Sequence, residues 1–295
     1  MTHHNYSLAP DGAAVLTGNR RMPAFDLDAW VARSRAIDLS EIDWSVVQRH
    51  PVPSEAIRTL RYMQDIESHT IIYTRMLLAT RAIDDPEVAT FLACWLYEET
   101  FHGLALARFL EAAGHPVGER ARPRGSEPWT KWLEARATAM LSRAWPDFCA
   151  VHMIWGAINE LTTLTAYRRL AARAGHPLLS DLLERIMLDE SRHFFFYYRQ
   201  AERRLERRAV ARVARVIVDR FWAPVGSGVQ PDDELVFMAR YLFGDEEGSA
   251  AARKVDDTIR KLPGFADAGL LEHWMRRHVG AANGTSGGRY GHRHH

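Results

Sequence analysis

The chain has 295 residues and a formal net charge of +1, and with 47% hydrophobic and 25% charged residues it has the makeup of a soluble globular protein with a substantial core. The near-zero charge argues against wholesale nucleic-acid binding, and no apolar run approaches the roughly 18 residues of a membrane span. The opening "MTHHNYSLAPDG" lacks the basic start and apolar block of a secretory signal, and Cys94 and Cys149 provide no disulfide framework, so a reduced cytoplasm is the expected location.

In chain order the pattern is helical. Ala, Leu, Arg and Glu dominate, while alternating strand patterns with hairpin dipeptides are missing. Residues 1–53 read as an N-terminal extension. A first long helix is expected from "PSEAIRTL", with Ser54 as its cap, to about Ala82. The next begins at "DDPEVATF", with Asp85 as N-cap and Pro86 at the first helical position, and stops at "AAGHP". After the loop "GERARPRGSEP" a third helix is expected from about Trp129 to Ala174, kinked or divided at Pro146. The fourth starts at "AGHPLLSD" and is read as running on through "RQAERRLERRAVARVARV". Four long helices predict an all-α bundle over 54–222, with shorter helices packed on it over 223–280 and a disordered tail over 281–295.

Polar residues then fall where apolar ones belong. Leu60, Met63, Glu67, Ile71 and Leu78 step along one face of the first helix, so Glu67 sits in an apolar stripe. Glu99 and His102 occupy the same place between Trp95 and Leu106 on the second. Glu160 does so among Met153, Ala157, Thr163 and Tyr167 on the third, and Glu190 and His193 between Met187 and Tyr197 on the fourth. With 19 Glu and 14 His in the chain, about one Glu-x-x-His is expected by chance, so the two copies carry weight only through this placement. Four clustered buried acids would repel or stay protonated unless something cationic joined them. Two irons, or an iron/manganese pair, would supply that charge through carboxylate and imidazole ligands and leave positions open for dioxygen. One Glu from each of two helices plus Glu-x-x-His from each of the others is the ferritin-like di-iron arrangement. The metal ligands predicted are therefore Glu67, Glu99, His102, Glu160, Glu190 and His193. Glu98, turned about 100° from Glu99, is read as non-ligating. The run "FFFYY" at 194–198 is read as core packing, and the terminal histidines His3, His4, His292, His294 and His295 have no assigned role.

The stretches "DIESHT", "WLYEETFHG", "NELTTLT" and "DESRHF" resemble the soluble acyl-[acyl-carrier-protein] desaturases over about residues 60 to 200. The resemblance implies a ferritin-like di-iron oxidoreductase. It includes Trp95 four residues before the second-helix Glu, Thr163 three after the third-helix Glu, and Asp189 before the last Glu. By that likeness Thr163 lies beside the oxygen-binding face and Asp189 supports a metal-bound histidine. Phe194 and Phe101 depart from the family pattern and put the substrate in question. R2-like ligand-binding oxidases are disfavoured, because Trp155 and Thr70 stand where they need a cross-linked Tyr and Val. Arylamine N-oxygenases are disfavoured by Ile186, which occupies the place of their extra His ligand.

The expected activity is O2-dependent desaturation, or hydroxylation, of an acyl chain on acyl carrier protein. The alternatives are oxygenation of a small-molecule or natural-product intermediate at carbon or nitrogen, and a non-enzymatic iron-binding bundle. A ferredoxin or another donor must supply electrons, and a homodimer is expected. Arg204, Arg208 and Arg212, with Arg215 one step on, are read as a stripe on a single helix face, and Arg120, Arg122 and Arg124 crowd one loop. Together they are either a dock for an acidic carrier or ferredoxin, or a solvated face partly neutralised by Glu202 and Glu206.

Overall fold

The computed structural model describes residues 25–118, 140, 142–227 and 230–280. Among these the protein is all-α, with no β-strand. After a short helix α1 (Leu27–Val31) come α2 (Ser54–Ser68), α3 (Thr70–Leu78) and α4 (Pro86–Ala112). Then α5 (Cys149–Ala174) and α6 (Pro177–Leu205) complete the bundle. The most extensive packing is within the hairpins α5–α6 and α2–α4. Leu60, Phe91, Leu106, Phe109, Met153, Leu182 and Phe196 fill the space between them with 1% exposure or less. Each such burial removes about 1.5–3 kcal/mol worth of apolar surface from water.

Local chemistry sets the helix ends. The Asp85 side chain accepts from the backbone N–H groups of Glu87 and Val88 at the start of α4, and Gly114 (φ 80°) turns the chain after Ala112. Pro146 divides the third helix through a short 3-10 turn, Pro146–Phe148, and Gly175 (φ 60°) closes α5. The expected start of that helix near Trp129 lies outside the described residues. Ser54 is the first helical residue, not the cap; Pro53 holds the cap position with no side-chain hydrogen bond.

Two breaks correct the sequence reading. The first helix does not run to Ala82. The His69 ring Nδ1 lies 2.7 Å from the Asp65 carbonyl oxygen and the Thr74 hydroxyl donates to the Thr70 carbonyl, so side chains compete for the helix's own acceptors. The register shifts there, leaving Ile71 and Leu78 exposed while Thr74 and Leu77 turn inward. The fourth helix likewise ends at Leu205, and α7 (Arg208–Phe221) begins after an extended Arg207. At this turn Arg204 pairs with Asp85 at 2.5 Å, and Arg207 pairs with Asp147. Arg204 therefore shares no helix face with Arg208 and Arg212. Arg215 is engaged by Asp219 and Asp267, each at 2.6 Å. The continuous arginine stripe does not exist, and Arg120, Arg122 and Arg124 lie outside the described residues.

Of the remaining helices, α8 (Asp232–Phe243) and α9 (Glu246–Ile259) pack against the bundle, and α10 (Leu270–Met275) packs on α9. Arg58 on α2 donates two 2.9 Å hydrogen bonds to Glu234, which fixes α8 beside α2. Tyr62 OH donates to the Val225 carbonyl at 2.8 Å and holds the preceding loop down on the same side.

The "FFFYY" run is core, as read: Phe194, Phe196, Tyr197 and Tyr198 are buried. Tyr197 packs against Gly156, where an added Cβ would meet its ring at 2.3 Å. Gly156→Ala should therefore destabilise the fold by about 1–3 kcal/mol through overpacking, as read by denaturant titration. A midpoint equal to that of wild type would contradict this packing.

Candidate metal centre

The bundle brings the six predicted ligands together. Ligand atoms of Glu67, Glu99, His102 and Glu190 lie within 4.8 Å of one another, and those of Glu99, Glu160, Glu190 and His193 do so as well. All six residues are buried. Glu99 and Glu190 belong to both groups, so the geometry provides two adjoining places for a cation, joined by two shared carboxylates. The three-residue step within each Glu-x-x-His puts both side chains on one helix face. The antiparallel approach of α4 and α6 sets the two motifs face to face.

The hydrogen bonds separate shared from unshared groups. His102 Nε2 lies 3.1 Å from Asp189 Oδ2, and His193 Nε2 lies 2.8 Å from Glu98 Oε2. Each imidazole is thus held on its outer nitrogen by the acid preceding the opposite helix's ligand Glu. Trp95 Nε1 donates to Glu160 Oε1 at 3.1 Å, and Tyr167 OH donates to Glu67 Oε1 at 2.5 Å. Arg192 contacts Asp189 and lies 3.5 Å from Glu98, so one guanidinium spans both outer acids. By contrast Glu99 Oε1, both oxygens of Glu190, and the Nδ1 atoms of His102 and His193 are buried with no hydrogen-bond partner. His193 Nδ1 approaches Glu99 Oε1 to 3.0 Å and His102 Nδ1 approaches Glu190 Oε1 to 3.3 Å, without hydrogen-bond alignment. Orphaned oxygens and imidazole nitrogens converging in a buried core are what a pair of cations would satisfy. The donor set fits iron.

The charges point the same way. Burial, then the neighbouring Glu99 carboxylate, pushes Glu67 well above the usual carboxylate range, and burial with Glu190 and Glu99 does the same to Glu160. For Glu190 burial acts upward, but His102 and His193 outweigh it and the group is lowered. Burial would depress His102, yet its contacts with Asp189 and Glu190 hold its imidazolium up to about 9. Without a cation the cluster retains protons to balance itself.

Of the other predicted residues, Trp95 and Asp189 make the contacts just described. Thr163 lines a small cavity of about 50 Å³ that also touches Glu67. Its walls include Met63, Ile66, Ala166, Val225, Met238 and Phe243. Glu98 and Tyr167 were missed as site residues. Glu98 offers no ligand atom to either group, but it is 1% exposed and grips His193. The signal was present: "EETFH" and "DESRH" both carry an acid immediately before the ligand Glu.

Iron-loaded wild-type protein should hold about two ions per chain, and Glu99→Ala should lose most of the iron while staying helical. Glu98→Gln should weaken retention by about 10–100-fold in chelator competition, as loss of an imidazole's outer partner does. Full retention in Glu98→Gln would remove that role. Loading at pH 7 should also release protons, because His102 stays protonated up to about 9 without metal and must become neutral to ligate. Affinity should accordingly rise between about pH 6 and 8; a pH-independent affinity would contradict this electrostatic picture.

No curated protein and no solved structure matches the chain. No helix among the described residues is long and apolar enough to cross a membrane. A family model described as fatty acid desaturase matches residues 67–225, a span that runs from the first lone glutamate to the loop covering the cavity and includes all six clustered residues. That match covers more than half of the 295 residues, and the chain belongs to the fatty acid desaturase family.

Proposed function

We propose that the protein is an O2-dependent di-iron oxidoreductase that desaturates, or hydroxylates, an acyl chain carried on acyl carrier protein. The observation that carries this reading is the sharing of Glu99 and Glu190 by both ligand groups, which suits a pair of ions better than one. Glu67 and His102 would complete the set around one ion, Glu160 and His193 around the other. With iron bound, the pair supplies the redox capacity by which dioxygen takes hydrogen from an unactivated C–H bond. Desaturation removes two hydrogens from the chain and, with two electrons and two protons from outside, reduces O2 to two waters. A ferredoxin-type donor belongs to the reading for that reason.

This chain's own residues do the positioning. Asp189 and Glu98 fix the two imidazoles, Trp95 fixes Glu160, and Glu99 Oε1 with both oxygens of Glu190 remains without a hydrogen-bond donor. Thr163 lines the cavity beside Glu67, where its hydroxyl would hand over protons without ligating metal. The mostly apolar walls of that cavity favour a methylene chain over a polar substrate. On α7 the exposed Arg208 and Arg212 stand beside the exposed Val213 and Val216, a surface that suits an acidic carrier.

The test is a mass-spectrometric screen of carrier-bound and free acyl substrates with reductant and O2. The expected result is a loss of two mass units, or a gain of one oxygen, on a carrier-bound chain. Thr163→Val should keep its iron and consume oxygen while forming less product. Oxygen consumption without any change in an acyl chain, together with turnover of a small free substrate, would overturn the acyl reading.

A further inference from the structure

The two unshared carboxylates are each held on one oxygen by an aromatic donor. Trp95 reaches across from α4 to Glu160, and Tyr167 reaches from α5 to Glu67. The second contact is the shorter, 2.5 Å against 3.1 Å. Tyr167 is completely buried, so its ring cannot swing aside without opening the core. It also stands one turn beyond Thr163 and next to Ala166, two of the residues that line the cavity touching Glu67. Glu67 is therefore restrained. One of its oxygens accepts from the phenol, and the residue offers a ligand atom to the group it forms with Glu99, His102 and Glu190. A carboxylate without such a restraint can close on an ion with both oxygens and fill a further position.

We propose that Tyr167 is a positioning residue that restricts Glu67 to single-oxygen ligation and so keeps a coordination position open toward the cavity beside Thr163. This rests on the metal-centre reading above. Trp95 plays the matching part for Glu160, on the side of the cluster where His193 lies. The tyrosine thus governs the cavity-facing ion, and the tryptophan governs the other.

Full-length protein titrated with Co2+ tests the proposal, because cobalt's visible absorption weakens as its coordination number rises. Wild type should take up two equivalents with measurable visible bands. In Tyr167→Phe the freed Glu67 closes on its ion, and one of the two equivalents should lose most of its absorbance while the other is unchanged. Trp95→Phe should alter the other equivalent. Unchanged bands in both Tyr167→Phe and Trp95→Phe, or an equal loss at both equivalents in Tyr167→Phe, would overturn the proposal. A wild type that binds no Co2+ would overturn the metal-centre reading, and this proposal with it.

Discussion

Placing Glu67, Glu99, Glu160 and Glu190 in one water-poor core sets a condition that the rest of the molecule must meet. Each carboxylate is 7% exposed or less, and each raises the cost of ionising its neighbours. An isolated buried charge of this kind costs several kcal/mol, and four of one sign cost more than hydrophobic packing nearby can offset. Protons or metal ions must therefore join them. The protein leaves converging ligand atoms bare while neighbouring side chains hold both outer imidazole nitrogens and one oxygen each of Glu67 and Glu160. Asp189, Glu98, Trp95 and Tyr167 occupy the outer nitrogens and single oxygens, and the converging atoms of Glu99, Glu190, His102 and His193 stay unpaired.

Helix geometry is the means by which this is achieved. The hairpins α2–α4 and α5–α6 each contribute one lone glutamate and one Glu-x-x-His, and the two outer acids cross between α4 and α6 to hold each other's histidine. The C-terminal helices have a different part. Phe243 and Met238 of α8, with Val225 of the loop held by Tyr62, wall the cavity on the side of Glu67 and Thr163. A change in this wall would alter what reaches the cluster without touching the cluster itself.

The sequence made the six converging residues legible because their spacing is helical and their placement is anomalous, an acid where Leu or Ile would pack. The outer contacts were harder to read. Glu98 lies about 100° from Glu99 around the helix, and on a two-helix surface that direction is solvent. In the folded protein α6 covers it, and only the contact between helices reveals His193 as its partner. Tyr167 was visible as a member of the core stripe, but nothing local shows that its hydroxyl meets a residue 100 positions away. The breaks at His69 and Glu206 were missed for a related reason. Helical periodicity persists across both, and it is side-chain competition at one and the Arg204–Asp85 and Arg207–Asp147 pairs at the other that divide the chain. That second break removes Arg204 from any surface stripe.

On the reading proposed above, two cations share this core, each reached by Glu99 and Glu190. Anomalous X-ray scattering at the iron edge, from crystals of the iron-loaded protein, addresses it most directly. Two peaks are expected, one among Glu67, Glu99, His102 and Glu190 and one among Glu99, Glu160, Glu190 and His193. A single peak, or iron bound anywhere outside these two groups with the cluster empty, would contradict it.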